Sequence, residues 1–189
     1  TGAAKDVTGC TIELYTNGSP TASNNTFTFP AGLVLPVNGT YAICNASATQ
    51  ALKDLCDTTH GVTSFNGNDA LVLKCGGEVL DVFGQVGFNP GDNIGWGTSP
   101  NTTIDHTLRR ACTVHFGDTV ANDAFVPATE WEFFAKDTFA GIGEHCPVVA
   151  DACNPDPCNG KGTCSVTATG FSCECSTGYA GDTCDTCDR

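Results

Sequence analysis

The chain has 189 residues, room for one domain of ordinary size and a small one beside it. Thirteen cysteines are too many for a reducing cytosol and point to an oxidising compartment. A net charge of −13, with only eight Lys and Arg, repels phosphate and anionic lipid, which argues against nucleic acid and membrane surfaces as partners.

Residues 1–9 (TGAAKDVTG) are small and polar and read as an arm or a lead-in strand. Residues 10–15 alternate apolar and polar side chains, the period of a half-buried strand, and Asn17-Gly18-Ser19-Pro20 ends them as a turn. Residues 26–29 alternate again, Pro30-Ala31-Gly32 breaks the run, and 33–35 resume it. Residues 39–44 form a further strand, with Tyr41 and Ile43 on one face. Residues 46–55 are the one convincing helical run, capped by Ser47, with Ala51, Leu52 and Leu55 on a common face. A turn at 65–69 (FNGND) precedes 70–75, whose near-continuous apolar run marks a strand buried on both faces. Gly76-Gly77 signals a hairpin into a strand at 78–83. Residues 87–103 hold Gly, Pro and Asn and read as a long loop with Trp96 inside it. Residues 107–114 and 131–134 are the last strands of this part. Short strands with Gly and Pro punctuation predict an all-β sandwich.

The segment 153–184 reads C-NPDP-C-NGKGT-C-SVTATGFS-C-E-C-STGYAGDT-C. A segment this short buries too little apolar surface to fold without covalent staples. Spacing alone leaves fifteen pairings open for six cysteines. Zinc held by the Cys-x-Cys and Cys-x-x-Cys pairs is the other use of such sulfurs, but the gaps lack the paired-knuckle form and no His lies nearby. The single residue between Cys173 and Cys175, with the run Gly178-Tyr179-Ala180-Gly181, resembles an EGF-like domain. That resemblance implies the bridges Cys153–Cys164, Cys158–Cys173 and Cys175–Cys184. It also implies an O-fucose acceptor at Thr163, within Cys158-Asn-Gly-Lys-Gly-Thr163-Cys164. Calcium-binding versions carry an Asp or Asn two residues after the third cysteine. Val166 stands there, so Asp151 alone is weak support for a cation that needs six to eight oxygens.

The first 145 residues resemble the lamin-tail-type domain of secreted proteins. The matching pieces are CTIELYTNGS at 10–19, FNGNDA at 65–70, VLDVFGQVG at 79–87 and NPG at 89–91. TLRR at 107–110, Trp131 and GIGEH at 141–145 continue the match. The resemblance implies an immunoglobulin-like β-sandwich in a non-catalytic family of filament and accessory modules. Asp81 and Arg109 occupy family positions where they could pair. The expected organisation is a lamin-tail-like domain over 1–146, a linker over 147–152 and the EGF-like domain over 153–189.

Seven cysteines remain. Cys44 and Cys56 bracket the predicted helix, so a bridge between them is expected, and it would stabilise by roughly 3 kcal/mol in the chain-entropy model. Cys10, Cys75, Cys112 and Cys146 have no assignable order. Cys187 is the odd one. It is free or capped, or it pairs with Cys146 and leaves another cysteine for a neighbouring subunit, or it opens a further repeat.

Asn24, Asn38, Asn45 and Asn101 each head an N-glycan acceptor triplet, and Asn17 heads a fifth that Pro20 weakens. The turn at Asn66, Asn68 and Asp69 is acidic enough to suggest a cation, but turn chemistry accounts for it. His60, His106, His115 and His145 are scattered without metal or catalytic spacing, and no nucleophile elbow or phosphate loop occurs. Asp105-His106 is the nearest thing to an acid–base pair. No catalytic residue, metal or cofactor is therefore assigned.

No apolar run approaches the roughly 18 residues of a membrane span and no signal-peptide pattern opens the chain, so membrane insertion is not expected. Opening on Thr1 suggests a processed mature chain. The expected function is that of a non-catalytic, glycosylated extracellular subunit that self-associates head to tail into a fibre, hair or matrix. In this reading the arm at 1–8 adds as a strand to the next subunit's sheet. The alternatives are an extracellular adhesion or binding module that does not polymerise, and an accessory fragment of a secreted hydrolase.

Overall fold

The computed structural model describes residues 4–144, 153, 156–167 and 170–187. The chain divides into two compact units, Thr1–His145 and Cys146–Arg189. His145, Cys146 and the linker at 147–152 lie outside the described residues, as does the side chain of Cys187.

The strands of the first unit are β1 (Lys5–Asp6), β2 (Thr11–Tyr15), β3 (Phe27–Thr28), β4 (Val34–Leu35), β5 (Ile43–Cys44) and β6 (Thr58–Thr59). They continue with β7 (Ala70–Cys75), β8 (Glu78–Phe83), β9 (Gly97–Thr98), β10 (Asn101–Thr102), β11 (His106–Arg110) and β12 (Trp131–Ala135). One short α-helix, α1 (Gln50–Lys53), lies between β5 and β6. The fold is all-β, built from several small sheets around one larger one.

That larger sheet has the order β3-β2-β7-β8 and is antiparallel throughout. Register places Ile12 beside Phe27 and Leu73, Leu14 beside Leu71, and Leu71 beside Phe83. Alternation therefore puts these side chains on one face. There Leu14, Phe27, Phe29 and Val62 are buried, with Tyr41 and Ile43 packed against them. Trp131 of β12 meets Phe83 edge-on with ring centres 5.0 Å apart, so the β11–β12 pair covers the same face. This is the sandwich-like layering. The opposite face carries a second cluster, Tyr15, Ala70, Val72 and Val82, covered by Val86 and Ala121. Apolar residues on both faces explain the near-continuous run Ala70-Leu71-Val72-Leu73.

Two disulfides with both partners among the described residues fasten this unit. Cys10–Cys75 joins the start of β2 to the end of β7, and Cys44–Cys56 closes the loop that holds α1. Cys112 is disulfide-bonded as well.

Several expectations need correction. The helix spans four residues rather than 46–55, and its cap is Thr49, which accepts from Leu52 N, rather than Ser47. Ser47 N instead donates to Asn45 Oδ1, and Ala48 N to Asn45 O, so 45–48 form a turn ahead of the helix. Leu55 is exposed. The strand expected over 39–44 shrinks to β5, because Gly39 N bonds Pro36 O in a turn and Asn38 has positive φ. The loop at 87–103 contains the small β9–β10 hairpin, and the strand from 107 ends at Arg110. Within the arm, β1 pairs with β4 of its own chain, Lys5 opposite Leu35.

On the Tyr15 face, Lys74 Nζ lies 2.7 Å from Glu13 Oε2, and the Tyr15 hydroxyl donates to the same oxygen at 2.6 Å. Burial pushes the Glu13 carboxyl up, but the bonds from Lys74 and Tyr15 outweigh it and hold the group below its ordinary value of 4.5. The bond to Glu13 raises Lys74 above 10.5, and burial and then Glu13 raise Tyr15 above 10.0. The lowered Glu13 contributes stability that is present above 4.5 and lost as pH falls through its folded value. The raised Tyr15 and Lys74 contribute stability present below 10 and lost as pH rises through theirs. The trio's contribution should thus be flat between about pH 5 and 9. Thermal melts of Glu13→Gln should lose part of the acid-side decline that the parent shows below about pH 4.5.

Candidate functional site

The second unit contains β13 (Gly162–Thr167), β14 (Gly170–Cys175), β15 (Tyr179–Ala180) and β16 (Thr186–Cys187). β13 and β14 form a hairpin in which Cys164 lies opposite Cys173. Cys153 is bonded to Cys164, Cys158 to Cys173 and Cys175 to Cys184. With Cys158 and Cys184 fully buried, sulfur takes the place of an apolar core. The sulfurs of the Cys-x-Cys pair are thus engaged in bridges rather than with zinc. The Asp156 carboxylate accepts from Cys158 N and Gly160 N, and Asn159 Nδ2 donates to Thr183 O, which fixes the loop before β13. At Gly162 a Cβ would lie 2.6 Å from Glu174 O and 2.9 Å from Cys184 Sγ, so only glycine fits there. Lys161 Nζ sits 4.9 Å from the centre of the Tyr179 ring.

Residues 153–183 match the family model described as EGF-like domain. This segment is an EGF-like domain. No curated protein and no solved structure matches the chain. EGF-like domains and multiple disulfides are typical of extracellular proteins. Among the described residues no helix is long and apolar enough to cross a membrane.

On the surface of the EGF-like domain Thr163 is exposed on β13. The calcium position falls to Val166, and Asp151 lies outside the described residues. Among the described residues, no three His, Cys, Asp or Glu side chains form a group fit to hold a metal ion.

In the first unit a cavity of about 530 Å³ opens beside β11 and β12. Leu71, Phe83, Leu108 and Trp131 supply apolar lining, and the half-exposed Phe65 and Phe139 also border it. Asp69, Asp105, His106, Lys136 and Asp137 are its ionisable members. The acid–base pair considered at 105–106 does not form. Asp105 is bonded to Lys136 at 2.6 Å, and His106 Nδ1 faces Ile104 O at 2.8 Å. The hydrogen bond from Lys136, followed by its charge, holds the Asp105 carboxyl below the usual range. Trp131 Nε1 is buried without an acceptor.

The remaining histidines are spread apart. His60 caps a 3-10 turn (Gly61–Thr63), accepting from Val62 N at 3.1 Å, and its ring packs on Phe27. His115 is exposed, and His145 lies outside the described residues. Asp81 pairs with Arg110 rather than Arg109. Arg110 also reaches Glu130 at 2.7 Å, while Arg109 lies over the Phe134 ring and donates to Ala140 O. Alternation along β11 explains the exchange, since neighbouring residues point to opposite faces.

The turn at 65–69 is a polar hub. Asp69 accepts from Asn17 N and Asn66 N. Asn68, with no exposed surface, points its amide nitrogen at Asn17 Oδ1, Asn89 Oδ1 and Asp92 Oδ1, at 3.0, 3.3 and 3.1 Å. One side chain thereby ties three loops together. Its spacing along the chain offered no sign of this, because the partners lie 51, 21 and 24 residues away.

Proposed function

We propose that the chain is a non-catalytic, glycosylated extracellular structural protein, a subunit that self-associates head to tail into a fibre, hair or matrix. The observation that carries the reading is the pairing of an EGF-like domain with an all-β unit that is itself disulfide-fastened and shows large apolar side chains to solvent. Phe116 is 86 % exposed and Ile94 62 %. Burying side chains of this size against a partner removes apolar surface from water. Two unlike modules in one chain favour contacts between unlike surfaces, and such contacts build open arrays when the rotation does not close. Within this reading the first unit is a lamin-tail-type sandwich. Sedimentation of the full-length native protein tests the function. Concentration-dependent growth into long species is expected, and a monomer at every concentration would rule the fibre out.

The acceptor triplets differ in their surroundings. Asn24, Asn38 and Asn101 are exposed. Asn45 is half-buried, and its Nδ2, the atom that would carry the sugar, donates to Thr63 O and Ser64 Oγ. Asn17 has its side chain in the Asn68 hub. Glycopeptide mapping of protein from a glycosylating eukaryotic host should find sugar on Asn24, Asn38 and Asn101, and little or none on Asn45 and Asn17.

A further inference from the structure

The cavity beside β11 and β12 lies in the volume range of small-ligand pockets, roughly 300–1,000 Å³, and much of its lining is aromatic or aliphatic. Its charges are one-sided. Asp69, Asp105 and Asp137 face a single cation, Lys136. That cation is taken, since Lys136 Nζ is bonded to Asp105 at 2.6 Å. Asp69 is taken too, accepting from Asn17 N and Asn66 N. Asp137 is not: among the described residues its carboxylate accepts no hydrogen bond and joins no ion pair. His106 adds an acceptor. Its Nδ1 faces Ile104 O at 2.8 Å, a partner that can only accept, so Nδ1 carries the proton and Nε2 is left to accept.

The walls are held in place. Asp137 stands at φ 62° in a turn where Thr138 N and Thr138 Oγ1 both donate to Ala135 O. On the Phe65 side, Thr103 Oγ1 donates to Gly67 O, and a Cβ at Gly67 would meet Thr103 O at 2.7 Å. A ligand entering here orders little that is not already ordered.

We propose that this cavity binds a small arylalkyl ammonium, its ring against Phe65, Leu108 and Phe139 and its ammonium on Asp137. Charge decides the class. An anion would meet the carboxylates, and a neutral apolar body would cover Asp137 without pairing it. A second copy is a poor occupant, because each copy carries −13. A protonated amine brings three N–H donors, enough for Asp137 and His106 Nε2 together. The half-exposed rings of Phe65 and Phe139 also favour a cation beside their faces. The charge of the whole chain concentrates cations near it, so binding should weaken as salt is added. The site does not depend on self-association of the chain.

The test titrates the full chain at pH 7 and about 0.15 M salt, where the Debye length is about 8 Å, and follows assigned Phe ring signals by NMR. The probes are phenethylammonium, phenethyl alcohol and phenylacetate, which share one body and differ in charge. Saturable shifts of Phe65 and Phe139 are expected with the ammonium. The alcohol should bind at least about fivefold more weakly, the margin of a charge-assisted over a neutral hydrogen bond, and phenylacetate more weakly still. Asn keeps the shape of Asp and accepts a positive φ, so the melt of Asp137→Asn should match the parent's. Its ammonium binding should fall about fivefold and its alcohol binding stay unchanged. Asp123→Asn removes the same charge from an exposed residue outside the cavity wall, and should change ammonium binding less than about twofold. Alcohol binding equal to that of the ammonium, equal losses in the two variants, or shifts that avoid Phe65 and Phe139 would each overturn the assignment. Butylammonium, a lysine side chain without its backbone, should bind more weakly than phenethylammonium because it lacks the ring. Equal binding by it would assign the site to lysines of a basic partner and overturn the arylalkyl ligand. No saturable shift with any probe up to about 20 mM would overturn the site itself.

Discussion

Replacing Cys10 and Cys75 together by alanine should lower the free energy of unfolding by about 4 kcal/mol. The bridge spans 65 residues, against 12 for Cys44–Cys56, and chain-entropy stabilisation grows with the logarithm of the loop it closes. The same arithmetic gives about 3 kcal/mol for the shorter bridge. Position reinforces the difference. Cys10–Cys75 clamps the central strands β2 and β7 against the Leu14 cluster, whereas Cys44–Cys56 closes a peripheral loop around one turn of helix. Urea denaturation of the two double-alanine variants measures this. Equal midpoint shifts, or a larger shift for the shorter bridge, would contradict the ranking.

Asn68→Asp should cost about 3 kcal/mol or more at pH 7, although the two side chains have nearly the same shape. The amide nitrogen faces three oxygens, one of them on the Asp92 carboxylate. Exchanging that donor for a buried anion removes the bonds and sets like charges together. Burial and Asp92 will raise the introduced carboxyl above its unfolded value of about 3.9, so the folded state takes up a proton more readily than the unfolded. The penalty is then fully present above the folded value and fades as pH falls toward about 4. Asn68→Ala should cost about 2 kcal/mol, with no such pH dependence. An Asn68→Asp melt that matches the parent's at pH 7 would show that the hub carries no load.

What the sequence revealed and what it concealed divide along physical lines. Strands β2, β7 and β8 were legible because period-2 alternation and a Gly-Gly hairpin are local signals. The EGF-like segment was legible because cysteine gaps constrain a short chain more tightly than any apolar pattern. The helix was overestimated because propensity at 46–55 says nothing of the Asn45 side chain, which draws Ser47 N into a turn. Arg110 was missed as the partner of Asp81 because adjacent arginines on a strand differ only in which face they meet. The cavity was invisible for a stronger reason: Phe65, Phe83, Trp131 and Phe139 converge only once β11 pairs with β12 and Trp131 meets Phe83. Phe116 carried no signal at all, since an exposed phenylalanine reads in sequence like any other.

Disulfide mapping of native, unreduced protein tests the account most directly, because oxidised sulfur underlies both the fold and the proposed extracellular role. Proteolysis and mass spectrometry should recover Cys10–Cys75, Cys44–Cys56, Cys153–Cys164, Cys158–Cys173 and Cys175–Cys184 as linked peptides, with Cys112 also oxidised. Finding most of these cysteines alkylatable without reduction would contradict the stapled scaffold, and with it the extracellular subunit.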